Sequence, residues 1–229
     1  MFLPLYDGAP MRFLRRPVVN YALIALNILV FLAMSQGLLG DTDRLDLALG
    51  AIPAVMFDHS TLAKGLALVP EPATLLTSLF VHANLAHISG NMLFLWVFGD
   101  NVEDAMGSVR YLAFYLLCGM AGALMYCVAD TTSEAPLIGA SGAISGVVAA
   151  YLILYPRMKV FGLVLNILPL RLPAIWCMGA WIVVQIISAL GNDQSGVGFW
   201  AHVGGLGCGA LLTPFLHRPA APLFSSREA

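Results

Sequence analysis

The stretch Tyr111–Ala129, YLAFYLLCGMAGALMYCVA, contains no Asp, Glu, Lys or Arg. An α-helix needs about 20 predominantly apolar residues to cross the hydrocarbon core of a bilayer, and this stretch supplies nearly that many. Working outward along the chain, Val18–Gly40, Leu75–Gly99, Ala135–Pro156, Leu172–Asn192 and Gln194–Leu216 share the property. All eleven Lys/Arg and all thirteen Asp/Glu fall between these runs. Helices satisfy every backbone polar group internally, as a membrane demands. The pattern therefore predicts an all-α membrane protein, a bundle of six transmembrane helices in one compact domain. A seventh apolar run, Val160–Leu170, is too short to span, sits between Lys159 and Arg171, and contains Pro169. It reads as an interfacial segment or a helix extension.

Composition agrees. Hydrophobic residues make up 59% of the 229 and charged residues only 10%, too few to cover the surface of a water-soluble fold. Soluble globular, disordered and disulfide-scaffold classes are excluded. Nucleic-acid binding is excluded as well, because the formal charge is −2 and the basic residues form no stripe. The four cysteines, Cys118, Cys127, Cys177 and Cys208, all lie inside predicted spans without a CxxC pair, which reads as buried thiols rather than disulfides or a metal site.

Lys and Arg counts set the orientation. With the N-terminus inside, the inner segments carry Arg12, Arg15, Arg16, Arg110, Arg157, Lys159, Arg171, Arg218 and Arg227, and the outer loops only Arg44 and Lys64. Both termini are then cytoplasmic. The chain divides into a cytoplasmic segment 1–17, a six-span domain 18–216 and a cytoplasmic tail 217–229. The outer loop 41–74 is long and acidic, yet holds apolar pieces such as Leu45–Met56. Ala33-Met34-Ser35 is a poor signal-peptidase site, so the first span reads as a retained anchor.

A polar residue inside a span is costly and points to function. Three clusters stand out. Val81–Asn91 holds His82, His87 and Asn91 at the entry to span two, with His87 and Asn91 four apart on one helical face. Gly139-Ala140-Ser141-Gly142 opens span four, and Ala201-His202-Val203-Gly204-Gly205 opens span six. Spans two, four and six all run from outside to inside, so these three entries share one depth near the outer face. Glycine packing alone could account for Gly139, Gly142, Gly146, Gly205 and Gly209. A back-bonded hydroxyl could account for Ser141, and satisfied polar contacts for single histidines. Metal binding by the histidines lacks a carboxylate partner in any span and lacks an HExxH.

The chemistry that fits the combination is nucleophilic. A serine needs a base within hydrogen-bond reach and donors aimed at the developing oxyanion. Ser141 at a helix N-terminus also feels the positive end of the dipole. His202 is the available base. With no Asp or Glu in a span, only a Ser-His dyad can form, and the lysines lie outside the spans.

The set His82-x4-His87-x3-Asn91, Gly139-Ala140-Ser141-Gly142 and Ala201-His202-x2-Gly205-x3-Gly209 resembles the rhomboid intramembrane serine proteases in order, spacing and span placement, over residues 18 to 216. The resemblance implies a six-helix rhomboid-like bundle whose water-filled cavity opens outward. It implies Ser141 as nucleophile and His202 as general base. His87 and Asn91 with the Ser141 N–H would form the oxyanion hole, and Gly139 would let the chain approach the substrate carbonyl. His82 would be a structural hydrogen-bonding residue. Gly205 and Gly209 would let span six pack closely on span four. Two positions differ from some members: Ser145 stands where an aromatic residue stacks on the base histidine, and Ala73-Thr74 where a Trp-Arg pair lies in the first outer loop. The expected activity is endoproteolysis in or beside the transmembrane segments of other proteins, without cofactor. The alternatives are a non-catalytic relative that binds such segments and, third, a small transporter, disfavoured by the lack of charged groups in the spans. A short six-span chain without a targeting presequence points to a bacterial inner membrane, with the site on the extracytoplasmic side.

Overall fold

The computed structural model describes residues 2–164, 167–191 and 197–225, and each charge-free run contains a long helix. In chain order the helices are α1 (Val18–Ser35), α2 (Thr42–Leu49), α3 (Pro53–Met56), α4 (Thr74–Thr77), α5 (Leu85–Met106), α6 (Ser108–Ala129), α7 (Ser141–Leu154), α8 (Ala174–Leu190) and α9 (Phe199–Leu216). α1, α6 and α9 are long and apolar enough to cross a membrane by length and composition. α7 and α8 are apolar but shorter, at 14 and 17 residues. Asn192, Gln194 and Arg227, assigned above to span ends and the tail, lie outside the described residues.

The second long helix differs from its sequence boundaries at both ends. It starts at Leu85 because the Asn84 side chain caps it, accepting the His87 N–H at 2.9 Å. The ten residues before it run instead through α4 and a 3-10 turn, Ser78–Phe80. At its far end it continues past Gly99 to Met106 and so carries Asp100, Glu103 and Asp104. Two of these carboxylates bind the N-terminal segment. Pro17 offers α1 no side-chain cap, and Glu103 takes its place by accepting the Val19 and Asn20 N–H groups at 3.2 and 2.7 Å. Asp104 accepts the N–H groups of Arg12, Phe13 and Leu14 at 2.7, 2.8 and 2.6 Å.

The all-α expectation is corrected by a three-stranded antiparallel sheet. Phe2–Tyr6 (β1) pairs with Lys159–Val164 (β2), which pairs with Leu168–Pro173 (β3). The described residues of the run Val160–Leu170 therefore belong to two paired strands and not to a helix extension. The physical reason lies in its residues. Val160, Phe161 and Val164 favour the extended chain, and Pro169 and Pro173 would each cost a helix a backbone hydrogen bond. All prolines of the sheet, Pro4 included, lie on its edge strands, where no ladder hydrogen bond is lost.

The core lies between α5, α6 and α7, where Phe98, Tyr111, Phe114, Tyr115 and Tyr151 are fully buried. α9 packs onto α6 and α7 through glycine, and the approach is as close as backbone allows. A Cβ on Gly205 would strike the Gly142 carbonyl, and one on Gly209 would lie 2.5 Å from the Gly146 carbonyl oxygen. Outward, Leu29, Leu32, Trp176, Ile187, Leu190, Leu211 and Phe215 are exposed, an exterior that suits lipid better than water.

Candidate active site

The segment that delivers Ser141 is fixed before α7 begins. Leu137 exchanges two backbone hydrogen bonds with Ala51 of the long loop, and the Gly139 N–H donates to the Ser78 carbonyl at 2.8 Å. Gly139 then turns the chain with φ +119°, a conformation few other residues adopt. Its missing side chain also makes room for a ring. A Cβ there would lie 2.7 Å from both Cε1 and Nε2 of His87. The next N–H, that of Ala140, donates to Nε2 of His82 at 3.5 Å. The His82 and His87 rings meet edge to face with centroids 5.2 Å apart.

α7 starts at Ser141 with no side-chain cap, so its first N–H groups, that of Ser141 among them, have no acceptor within the helix. Across from it, His202 stands in the first turn of α9. Its Nε2 is 2.8 Å from the Ser141 hydroxyl oxygen. Its Nδ1 is 2.6 Å from Oε1 of Gln185 on α8. The ring lies 6.0 Å from that of Trp181 and meets Phe199 edge to face at 6.1 Å. His202 is 7% exposed and Gln185 6%, so these polar contacts are shielded from solvent on most sides.

Ser145, one turn further along α7, donates its hydroxyl to the Ser141 carbonyl at 2.7 Å and is fully buried. Asn91 is nearly buried on the same face of α5 as His87, and its amide donates to the His87 carbonyl at 3.0 Å. Gly205 and Gly209 meet α7 at Gly142 and Gly146, one and two turns beyond His202. The geometry thus brings His82 and His87 against the Gly139-Ala140 segment that precedes Ser141, and His202 with Gln185 to the Ser141 hydroxyl. Among the described residues no three His, Cys, Asp or Glu side chains converge as metal ligands. Chemically, the arrangement offers a hydroxyl paired with an imidazole beside uncapped helix donors.

The sequence reading did not name Gln185. The signal was present: it is the one side-chain amide within a run from Leu172 to Leu190 that is apolar apart from Ser188, the same kind of signal that marked Asn91.

A Rhomboid domain model matches residues 70–219, which include His82, His87, Asn91, Ser141, Gln185 and His202. The chain is 34% identical over 216 residues to Rhomboid protease GluP of Bacillus subtilis (strain 168), covering 93% of this chain and 37% of that protein. It is 29% identical over 154 residues to Rhomboid protein 1, mitochondrial, of Saccharomyces cerevisiae, covering 62% of this chain and 41% of the relative. Inactive rhomboid protein 1 of Drosophila melanogaster is also similar, at 29% over 139 residues, 61% of this chain and 9% of that protein. The chain therefore spans well under half the length of these relatives. With a domain match over most of its length and apolar helices to carry it, this integral membrane protein belongs to the rhomboid family.

Proposed function

We propose that the chain is an intramembrane serine endopeptidase that cleaves peptide bonds in or beside transmembrane segments of other proteins. The observation that carries this reading is the 2.8 Å contact between the Ser141 hydroxyl and His202 Nε2 at two adjoining helix N-termini. In the proposed reaction Nε2 takes the hydroxyl proton as Ser141 attacks the scissile carbonyl. The Ser141 N–H, with the side chains of Asn91 and His87, stabilises the resulting oxyanion. His202 then gives the proton to the departing amine. A water, deprotonated by the same nitrogen, releases the acyl group and restores the serine.

In this reading α1, α5, α6, α7, α8 and α9 are the six spans, both termini are cytoplasmic, and the site opens to the extracytoplasmic side of a bacterial inner membrane. Asp7 hydrogen-bonds Tyr151 near the far end of α7, so the N-terminal segment and Ser141 occupy opposite ends of that helix, in support of the orientation. His82 holds the Ala140 backbone, Gly139 leaves space for the substrate carbonyl, and Gly205 and Gly209 keep α9 against α7. A substrate helix hides its carbonyls in its own hydrogen bonds. Segments with Gly or Pro near the outer end of the span are therefore the expected substrates.

The test is covalent labelling by a fluorophosphonate probe together with cleavage of a single-span reporter. Wild type should label and cleave. Ser141→Ala and His202→Ala should each nearly abolish cleavage, and the double variant should be no worse than either, because the pair acts as one unit. A correctly folded wild type that neither labels nor cleaves would favour the non-catalytic binder.

A further inference from the structure

We infer that Gln185 is a positioning residue for His202, holding the imidazole in the one tautomer and orientation that leaves Nε2 free to act on Ser141. The inference rests on the Ser141–His202 reading and adds a third member from a separate helix.

The amide oxygen of glutamine only accepts hydrogen bonds. With Oε1 at 2.6 Å from Nδ1, the proton of the neutral imidazole sits on Nδ1. The lone pair is then on Nε2, which faces the Ser141 hydroxyl at 2.8 Å. The opposite tautomer would point an N–H at the serine and could take no proton from it. Fixing the tautomer through the second ring nitrogen is the task that an aspartate performs in a Ser-His-Asp triad.

The location of Gln185 supports a dedicated role. It is nearly buried in a helix, AIWCMGAWIVVQIISAL, whose other side chains are apolar apart from Ser188. A buried amide in an apolar helix is costly unless it is paired, and His202 is its partner. Trp181 lies four residues earlier on the same face of α8, with its ring 6.0 Å from His202. Two side chains of one helix therefore hold the imidazole, one by its edge and one by its face. On α7, Ser145 provides no such ring and spends its hydroxyl on the Ser141 carbonyl.

Because the acceptor is uncharged, it fixes the ring without the electrostatic support a carboxylate would give the imidazolium. The groups that titrate around His202 are few. His87 faces it from α5, and Ser141 from α7. α7, α8 and α9 contain no Asp, Glu, Lys or Arg. The carboxylates of α5 and the Arg110 of α6 lie at the opposite end of those helices, α8 adds only Cys177 near its start, and α6 turns Tyr126 toward the Ala135 carbonyl.

The experiment compares wild type, Gln185→Leu and Gln185→Glu in the full chain. Reporter cleavage is measured against pH, and ¹⁵N spectra of histidine-labelled protein report the tautomer without any substrate. The His202 signals are assigned by their loss in His202→Ala. For Gln185→Leu, kcat should fall roughly ten- to a hundredfold with KM little changed, and the His202 resonances should show both tautomers. For Gln185→Glu, a carboxylate on Nδ1 favours the protonated imidazole. The acid limb of the rate profile should then move up by roughly one to three pH units, with activity recovered above it. A Gln185→Leu variant with wild-type kcat overturns the inference. So does an equal loss in both variants with the acid limb unmoved, which is the mark of a merely structural residue. If wild type takes no probe and cleaves nothing while His202 stays in the Nδ1–H form, the protease reading falls and the positioning role stands. Mixed tautomers in an active wild type reject the positioning role alone.

Discussion

At the scale of single residues, two serines one turn apart on α7 differ in what their hydroxyls touch. Ser141 meets an imidazole nitrogen, and Ser145 meets a carbonyl of its own helix. A hydroxyl that donates to a backbone carbonyl has no base to activate it. Ser145→Ala should therefore keep reporter cleavage within a few-fold of wild type under conditions where Ser141→Ala abolishes it. The reverse pattern would exchange their roles. Ser141, His202, His82, His87 and Asn91 could be picked out in the sequence because polar atoms in charge-free runs are conspicuous, whereas Gly139 entered through the family resemblance. Gln185 was no less conspicuous, but it opens no span, lying well inside the run Leu172–Asn192. Only the packing of α8 on α9 reveals which nitrogen it meets.

At the scale of elements, the contact of α9 with α7 decides where His202 stands. Gly205 is one turn beyond His202, and a methyl group there would run into the Gly142 backbone, which cannot move aside as a side chain can. Gly207, on the same helix, has nothing within 4 Å of its would-be Cβ. Gly205→Ala should destabilise the protein by about 1–3 kcal/mol and reduce cleavage further by drawing His202 off Ser141. Gly207→Ala should do neither. Thermal unfolding in detergent alongside reporter cleavage checks both, and equal behaviour of the two variants would count against the packing argument. The long helices were legible as gaps between charges. Their true ends were not, because the cap on α5 depends on one Asn84 contact, and its extension on acids that meet a segment some 90 residues earlier. The β2–β3 hairpin was hidden for a similar reason. Its run is short and apolar, a pattern that strand and helix share, and its third strand comes from the other end of the chain.

At the scale of the whole molecule, the N-terminal strand and the segment behind it close the cytoplasmic end of the bundle in the proposed orientation. Asp7 lies at the centre of this closure. Its carboxylate accepts from Tyr151 at 2.7 Å and from Asn101 at 2.8 Å, joining β1 to α7 and α5. Burial pushes the Asp7 carboxyl up from its ordinary value, against hydrogen bonds from Tyr151 and the Ala9 N–H that pull it down. A carboxyl raised on folding binds its proton more tightly in the folded chain. Its contribution is full at low pH and is lost as pH rises through the folded value. Wild type should therefore lose thermal stability relative to Asp7→Asn as the pH rises from the ordinary carboxyl value of 3.8 through the raised folded value, since asparagine cannot ionise. Parallel melting curves for the two proteins across that range would contradict the assignment.

The length of α7 has a consequence of its own. Fourteen residues of helix reach only about 21 Å, against roughly 30 Å of hydrocarbon in a typical bilayer. With α7 as a span in the proposed orientation, Ser141 as the first of those residues places its hydroxyl below the lipid headgroups, and the water of the proposed hydrolysis must descend to meet it. Nearly all of α7 is buried against its neighbours, so the shortfall in its length meets protein and not acyl chains. In the proposed reading the protein itself, and not the lipid around it, must supply the path by which that water arrives.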